Sequence, residues 1–133
     1  MICGNGGSAA MSQEMVAELM GKFEKIRPPL PAIALTTDTA FLTAWCNDNE
    51  NGFETIFSRQ IEALWEPGDV VITFSTSGKS KNCLRAGECA EQCDLVYIDF
   101  PRKGKRTADV QEYQHKLMHQ ICREVEEELF PKL

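Results

Sequence analysis

The chain has 133 residues and 14.9 kDa, with 43% hydrophobic, 26% charged and 8% aromatic residues. That is the composition of one globular domain, not of a disordered or fibrous chain. Lys plus Arg is 14 and Asp plus Glu is 20, so the net charge is −6 and the pI is near 4.9, which disfavours nucleic acid and anionic membrane surfaces as partners.

In chain order, Met1-Ile2-Cys3 reads as the end of a buried strand whose start lies outside the chain. Gly4-Asn5-Gly6-Gly7-Ser8 is a tight turn rather than a secretory leader. Residues 9–23 carry Met11, Met15, Leu19 and Phe23 on one face, which predicts a helix that Arg27-Pro28-Pro29-Leu30-Pro31 stops. Residues 32–36 are a short apolar run of the kind buried on both sides of a parallel sheet. Helices are predicted over 39–46 and 53–64, with a polar loop at 47–52 between them and Pro67-Gly68 after them. Residues 69–75 form the next strand, 76–80 a polar turn, 82–90 a short helix and 95–100 a strand. Residues 107–130 form a long closing helix with Val110, Leu117, Ile121, Val125 and Leu129 as its apolar stripe. No apolar run approaches the ~18 residues of a membrane span. Strands alternating with helices predict an α/β domain with a parallel sheet. Ligands bind such sheets at the carboxyl ends of the strands, where both polar turns fall.

The six cysteines, Cys3, Cys46, Cys83, Cys89, Cys93 and Cys122, are scattered and sit mostly in apolar or helical stretches. They read as small buried hydrophobes in a reducing cytoplasm, not as a disulfide framework. Cys89 and Cys93 lack the second pair that a structural zinc site needs.

Ser75-Thr76-Ser77-Gly78-Lys79-Ser80 places four hydroxyls between a strand and a helix start. Hydroxyls with helix N-terminal N–H groups suit an anion, phosphate above all; the plainer reading is a serine-rich turn that caps a helix. A nucleotide P-loop is excluded because the glycine required five residues before Gly78 is Thr73. Gly4-Asn5-Gly6-Gly7-Ser8-Ala9 fits a loose dinucleotide fingerprint, yet the first strand-end acid is Asp38, too far along for the ribose partner. A second backbone cradle facing the serine turn is the better reading.

Glu14 and Glu18, four apart, share one helix face. They are either a solvated pair or the wall of a pocket that starts at the glycine turn. Gln111, His115 and His119 form a polar stripe at steps of four, and those two histidines are the only ones. The stripe is either a boundary row beside the apolar face or, joined to the two glutamates, a set able to hold a divalent metal or shuttle a proton. Arg102-Lys103-Gly104-Lys105-Arg106 is a basic turn, either solvated or a local positive field for a phosphorylated substrate. Glu124-Val125-Glu126-Glu127-Glu128 reads as an exposed helix face.

Taken together, these segments resemble the sugar isomerase (SIS) domain family. The likeness runs through Cys3-Gly4-Asn5-Gly6-Gly7-Ser8-Ala9-Ala10, Ala17-Glu18-Leu19, Arg27-Pro28, Pro31-Ala32-Ile33-Ala34-Leu35-Thr36-Thr37-Asp38 and Asn47-Asp48. It continues through Phe57-Ser58-Arg59-Gln60, Gly68-Asp69-Val70, Ser75-Thr76-Ser77-Gly78-Lys79-Ser80 and Gln111-Glu112, and covers nearly the whole chain in order. It implies a three-layer αβα sandwich with a parallel, Rossmann-like sheet, as a single domain shortened relative to the family. It further implies a cytoplasmic aldose–ketose isomerase acting on sedoheptulose 7-phosphate for heptose and lipopolysaccharide precursor synthesis, a homotetramer with a zinc ion in each site. On that resemblance, Glu18 and His119 are the acid–base pair. Ser8, Ser75, Thr76, Ser77 and Ser80 grip the phosphate, and Asn5 and Asp48 contact the sugar. Gln111 is a metal ligand with Glu18 and His119, and Glu14 stands where the family carries a further histidine ligand. The chain also has Asp109 where the family often has an arginine and Gln114 where it has a histidine, with His115 displaced by one. The family's N-terminal helices, and a strand, glycine-rich turn and helix between Ala90 and Cys93, have no counterpart here. Two other kinds of SIS protein fit the sequence less well: a non-catalytic protein that binds a partner such as a replication initiator, and a phosphosugar-sensing domain. Neither needs the Glu18 and His119 pair.

Overall fold

A computed structural model describes residues 1–133. Three short strands, β1 (Ile2–Gly4), β2 (Val70–Phe74) and β3 (Val96–Asp99), pair in parallel in the order β1-β2-β3. Ile2 lies opposite Ile72, and Ile72 opposite Ile98. Five helices accompany them: α1 (Gly7–Met20), α2 (Thr39–Asp48), α3 (Gly52–Leu64), α4 (Lys81–Gln92) and α5 (Thr107–Leu129).

The two-residue period of the strands sorts the core into two layers. Ile2, Ile72 and Phe74 face one way and pack with Met11 and Met15 of α1 and Met118 and Cys122 of α5. Cys3 and Val71 face the other way and pack with Ile56, Phe57 and Ile61 of α3 and Cys83, Ala86 and Ala90 of α4. The result is the expected αβα sandwich. All six cysteines are free, and four of them, Cys3, Cys83, Cys89 and Cys122, are buried.

Three expectations need correction. Residues 32–36 do not form a strand: only Ala34 bridges Ile2, with Ile2 N–H donating to Ile33 and Leu35 N–H donating to Ile2, each at 2.9 Å. Pro28, Pro29 and Pro31 supply no N–H and restrict the residues before them, so the chain reaches the sheet edge with room for one bridge. The first helix ends at Met20, three residues early. Beyond it, the N–H groups of Phe23, Glu24 and Lys25 turn toward the Glu126 carboxylate at 2.9 Å instead of continuing the helical ladder.

The third correction concerns α5. Its buried face is Val110, Gln114, Met118, Cys122 and Glu126. The wholly apolar row is turned toward the surface, with Leu117, Ile121 and Val125 half-buried and Leu129 exposed. Glu126, read from sequence as exposed, is 1% exposed. Its carboxylate takes three backbone N–H groups and Arg27 Nε, all at 2.9 Å. Burial alone pushes its pKa up, but these four donors outweigh it and hold the group down at about 2. Arg27 also donates to the Glu18 and Leu19 carbonyls, so it caps the C-terminal end of α1.

Candidate active site

The carboxyl ends of β1 and β2 lie side by side, so the turns that follow them are neighbours. Asn5 and Asn82 join these turns by exchanging amide hydrogen bonds, at 2.9 and 2.8 Å. Asn82, wholly buried at the start of α4, was not singled out from sequence; its only local sign is a polar residue inside the first turn after the serine loop. In the hydroxyl loop, Gly78 N–H donates to Ser75 Oγ and Lys79 N–H to Ser77 Oγ, both at 3.0 Å. The hydroxyls of Ser75 and Ser80 are 3.4 Å apart. Gly78 adopts φ +68°, which favours a residue without a Cβ. Ser75 is buried, Thr76 and Ser80 are half-buried and Ser77 is exposed.

α1 starts at the first of these turns and runs beside α5 in the same direction, so that Gly7 meets Gln111 and Glu14 meets His115. Both Glu14 carboxylate oxygens lie 2.9 Å from His115 Nε2, and one lies 3.3 Å from His119 Nε2. The two imidazole rings are 4.5 Å apart, and Phe23 stacks on His119 at 5.4 Å. Partial burial pushes the Glu14 pKa up, but the contacts with His115 and His119 prevail and hold it below the usual carboxylate range. One ligand atom from each of Glu14, His115 and His119 falls within 4.8 Å of the others. Two imidazole nitrogens and a carboxylate oxygen form a donor set suited to a divalent transition metal. A cleft of about 230 Å³ opens beside them, lined by Gly7, Ala10, Met11, Glu14, Gln111 and His115.

The structure thus brings Glu14, Gln111 and His119 together, and adds His115 from the same stripe. Glu18 lies one turn beyond Glu14, half-buried, with no hydrogen bond to its carboxylate and outside the Glu14–His115–His119 group. Ser8 is buried in the first turn of α1. Asp48 stands apart: it is exposed at the end of α2, and its side chain bonds only to Asn47. Gln114 Nε2 reaches the carbonyls of Ser75, Phe100 and Pro101 at 3.2–3.4 Å, which ties α5 to the hydroxyl loop. Its Oε1 is buried without a partner.

A family model described as the SIS domain matches residues 1–99. The chain belongs to the SIS domain family. Among relatives of this SIS domain, the phosphoheptose isomerase of Crocosphaera subtropica is 45% identical over 148 residues, covering 99% of this chain and 74% of that protein. The phosphoheptose isomerase of Aquifex aeolicus is 53% identical over 114 residues, covering 85% of this chain and 59% of that one. The structure of a phosphoheptose isomerase from Francisella tularensis superposes with a TM-score of 0.84 at 33% identity, covering 92% of this chain and 73% of that chain. The structure from Neisseria gonorrhoeae gives 0.84 at 36%, covering 94% and 74%. The Crocosphaera match runs over 148 positions against 133 residues here, so that relative has residues inside the matched span which this SIS domain lacks. No helix is long and apolar enough to cross a membrane.

Proposed function

We propose that this SIS domain is an aldose–ketose isomerase that converts sedoheptulose 7-phosphate to D-glycero-D-manno-heptose 7-phosphate through an enediol, in the supply of heptose for lipopolysaccharide. The observation that carries the proposal is the meeting of a carboxylate from α1 with two imidazoles from α5, on a helix that Gln114 ties to the hydroxyl loop. The names of the relatives support the substrate.

In this scheme Ser8, Ser75, Thr76, Ser77 and Ser80 hold the phosphate, while Asn5 and Gln111 contact the sugar; Asp48, which stands apart from them, takes no part in it. Remote binding of the phosphate orients the reacting end. Glu18, whose carboxylate is free of hydrogen bonds, takes the C1 proton and returns it at C2. His119 gives a proton to the carbonyl oxygen at C2 and recovers one from the C1 hydroxyl, so the aldose forms with no net gain or loss of protons. Glu14, His115 and His119, with Gln111 beside them, would hold a zinc ion, whose chemistry is to polarise the carbonyl and stabilise the enediolate in place of proton donation by His119.

We assign the active form to a homotetramer in the cytoplasm. The assembly is supported by Val70, Val96 and Ile98, which share one face of the sheet by register and are 36%, 57% and 38% exposed. Size measurement by light scattering tests it, and a monomer at working concentration rejects it. The unpaired thiols support the compartment.

The deciding assay incubates the protein with sedoheptulose 7-phosphate in deuterium oxide. Aldose product with deuterium at C2 supports the isomerase. Phosphosugar binding without turnover favours the sensing domain instead, and neither binding nor turnover favours the partner-binding protein.

A further inference from the structure

Arg102, three residues past the end of β3, lies against the hydroxyl loop. A Cβ built on Gly78 would fall 2.7 Å from its Cζ, 2.8 Å from Nε and 2.9 Å from Nη2, so the guanidinium fills the space that a side chain at Gly78 would take. Asp99 Oδ2 holds Nη2 at 2.5 Å from the strand side. That is the only hydrogen bond Arg102 makes, which leaves most of its five N–H donors unengaged. Of the other cations nearby in sequence, Lys81 pairs with Glu54 at 2.7 Å and Arg106 with Asp109 at 2.7 Å, while Lys79, Lys103 and Lys105 are exposed and make no ion pair.

The loop itself carries one cation, the exposed Lys79, which has no ion pair. Its hydroxyls are neutral, and the N–H groups of Gly78 and Lys79 are already turned to Ser75 and Ser77. The protein around it carries a net charge of −6. A phosphate monoester is close to a dianion at neutral pH, and hydroxyls with one flexible, solvated ammonium discriminate less sharply in its favour than a guanidinium fixed against the loop. We propose that Arg102, held by Asp99 over the bare face of Gly78, is the cation that makes the hydroxyl loop select phosphorylated sugars over free ones. The planar fork suits two phosphate oxygens at once, which a lysine in its place would not match. This rests on the proposal that the loop takes the phosphate end of the substrate.

The test titrates the whole protein with inorganic phosphate while following the arginine Nε–H resonances, and repeats the titration with Arg102→Gln and Arg102→Lys. The Arg102 signal is expected to move to saturation. Arg102→Gln is expected to weaken phosphate about tenfold, with Arg102→Lys in between. The KM for sedoheptulose 7-phosphate is expected to rise by about the same factor while kcat falls less. A wild-type protein that binds no phosphate, an Arg102 resonance that stays still at saturation, or Arg102→Gln binding phosphate as well as the wild type would each overturn the proposal. The wild-type resonance decides the matter if the variants do not fold. Phosphate binding that depends on Arg102 in a protein that never isomerises the sugar would reject the isomerase and leave this assignment standing.

Discussion

Glu14 on α1 faces His115 on α5 with both carboxylate oxygens 2.9 Å from the same ring nitrogen, and one of those oxygens also reaches His119 at 3.3 Å. One carboxylate therefore joins two imidazoles spaced one helical turn apart. The same three groups suit a metal, whose binding would replace the direct contacts.

The first prediction concerns that exchange. Purified protein stripped with a chelator should take up about one zinc or cobalt per chain, and cobalt should give the visible absorption bands of a mixed nitrogen and oxygen site. Glu14→Gln and His115→Ala should each weaken uptake by a factor of about ten or more. Metal analysis showing full uptake by the Glu14→Gln, His115→Ala double variant would place the metal elsewhere.

Glu18→Gln and His119→Ala should each lower turnover by roughly 10²–10⁴-fold, the usual range for a positioned acid or base. Substrate binding should be largely kept, because neither residue belongs to the hydroxyl loop. Calorimetric titration with sedoheptulose 7-phosphate alongside the rate measurement separates the two effects.

Gly7→Ala probes the contact between the two helices at the mouth of the cleft. A methyl group there would lie 2.5 Å from Gln111 Nε2, the end of a flexible side chain that can swing away. Stability should change by no more than about 1 kcal/mol, since alanine suits a helix better than glycine. Activity should fall as the Gln111 amide leaves the cleft. A thermal melt and a rate assay on the same preparation check both halves.

Breaking the Arg27–Glu126 pair should be far more costly. Both side chains are 1% exposed, and Glu126→Gln leaves a buried guanidinium without its counter-charge. The expected loss is about 3–5 kcal/mol, read from denaturant unfolding. The pH dependence has a definite sign. The Glu126 pKa of about 2 in the folded protein lies below the ordinary 4.5 of an unfolded chain. Its stabilisation is therefore complete above about 4.5 and is lost as pH falls toward about 2. The stability gap between wild type and Glu126→Gln should be widest near neutral pH and close across that window.

Much of this protein is legible locally. Apolar periodicity placed the helices at 9–23, 53–64 and 107–130, the stretches between turns placed the other two, and alternation with apolar runs gave a parallel sheet with its polar turns at one end. The run at 32–36 misled because apolar composition does not reveal whether a segment's N–H groups can reach a partner, and the prolines before it left one bridge. Asn82 was invisible as a site residue, and the basic turn at 102–106, read as either solvated or a positive field for a phosphorylated substrate, did not reveal that Arg102 lies against Gly78, since each matters through a contact made across a loop or between two strand ends.

By itself, then, the sequence determined the α/β class, the two turns at the strand ends and the residue types available for acid–base and metal chemistry. Only the tertiary structure decided that Glu14 rather than Glu18 meets the histidines, and that α5 buries Gln114 and Glu126 in preference to its most apolar row. The physical reason is that a polar group can be buried only where its partners converge. For Glu126 those partners are Arg27 and three backbone N–H groups about a hundred positions away in the chain.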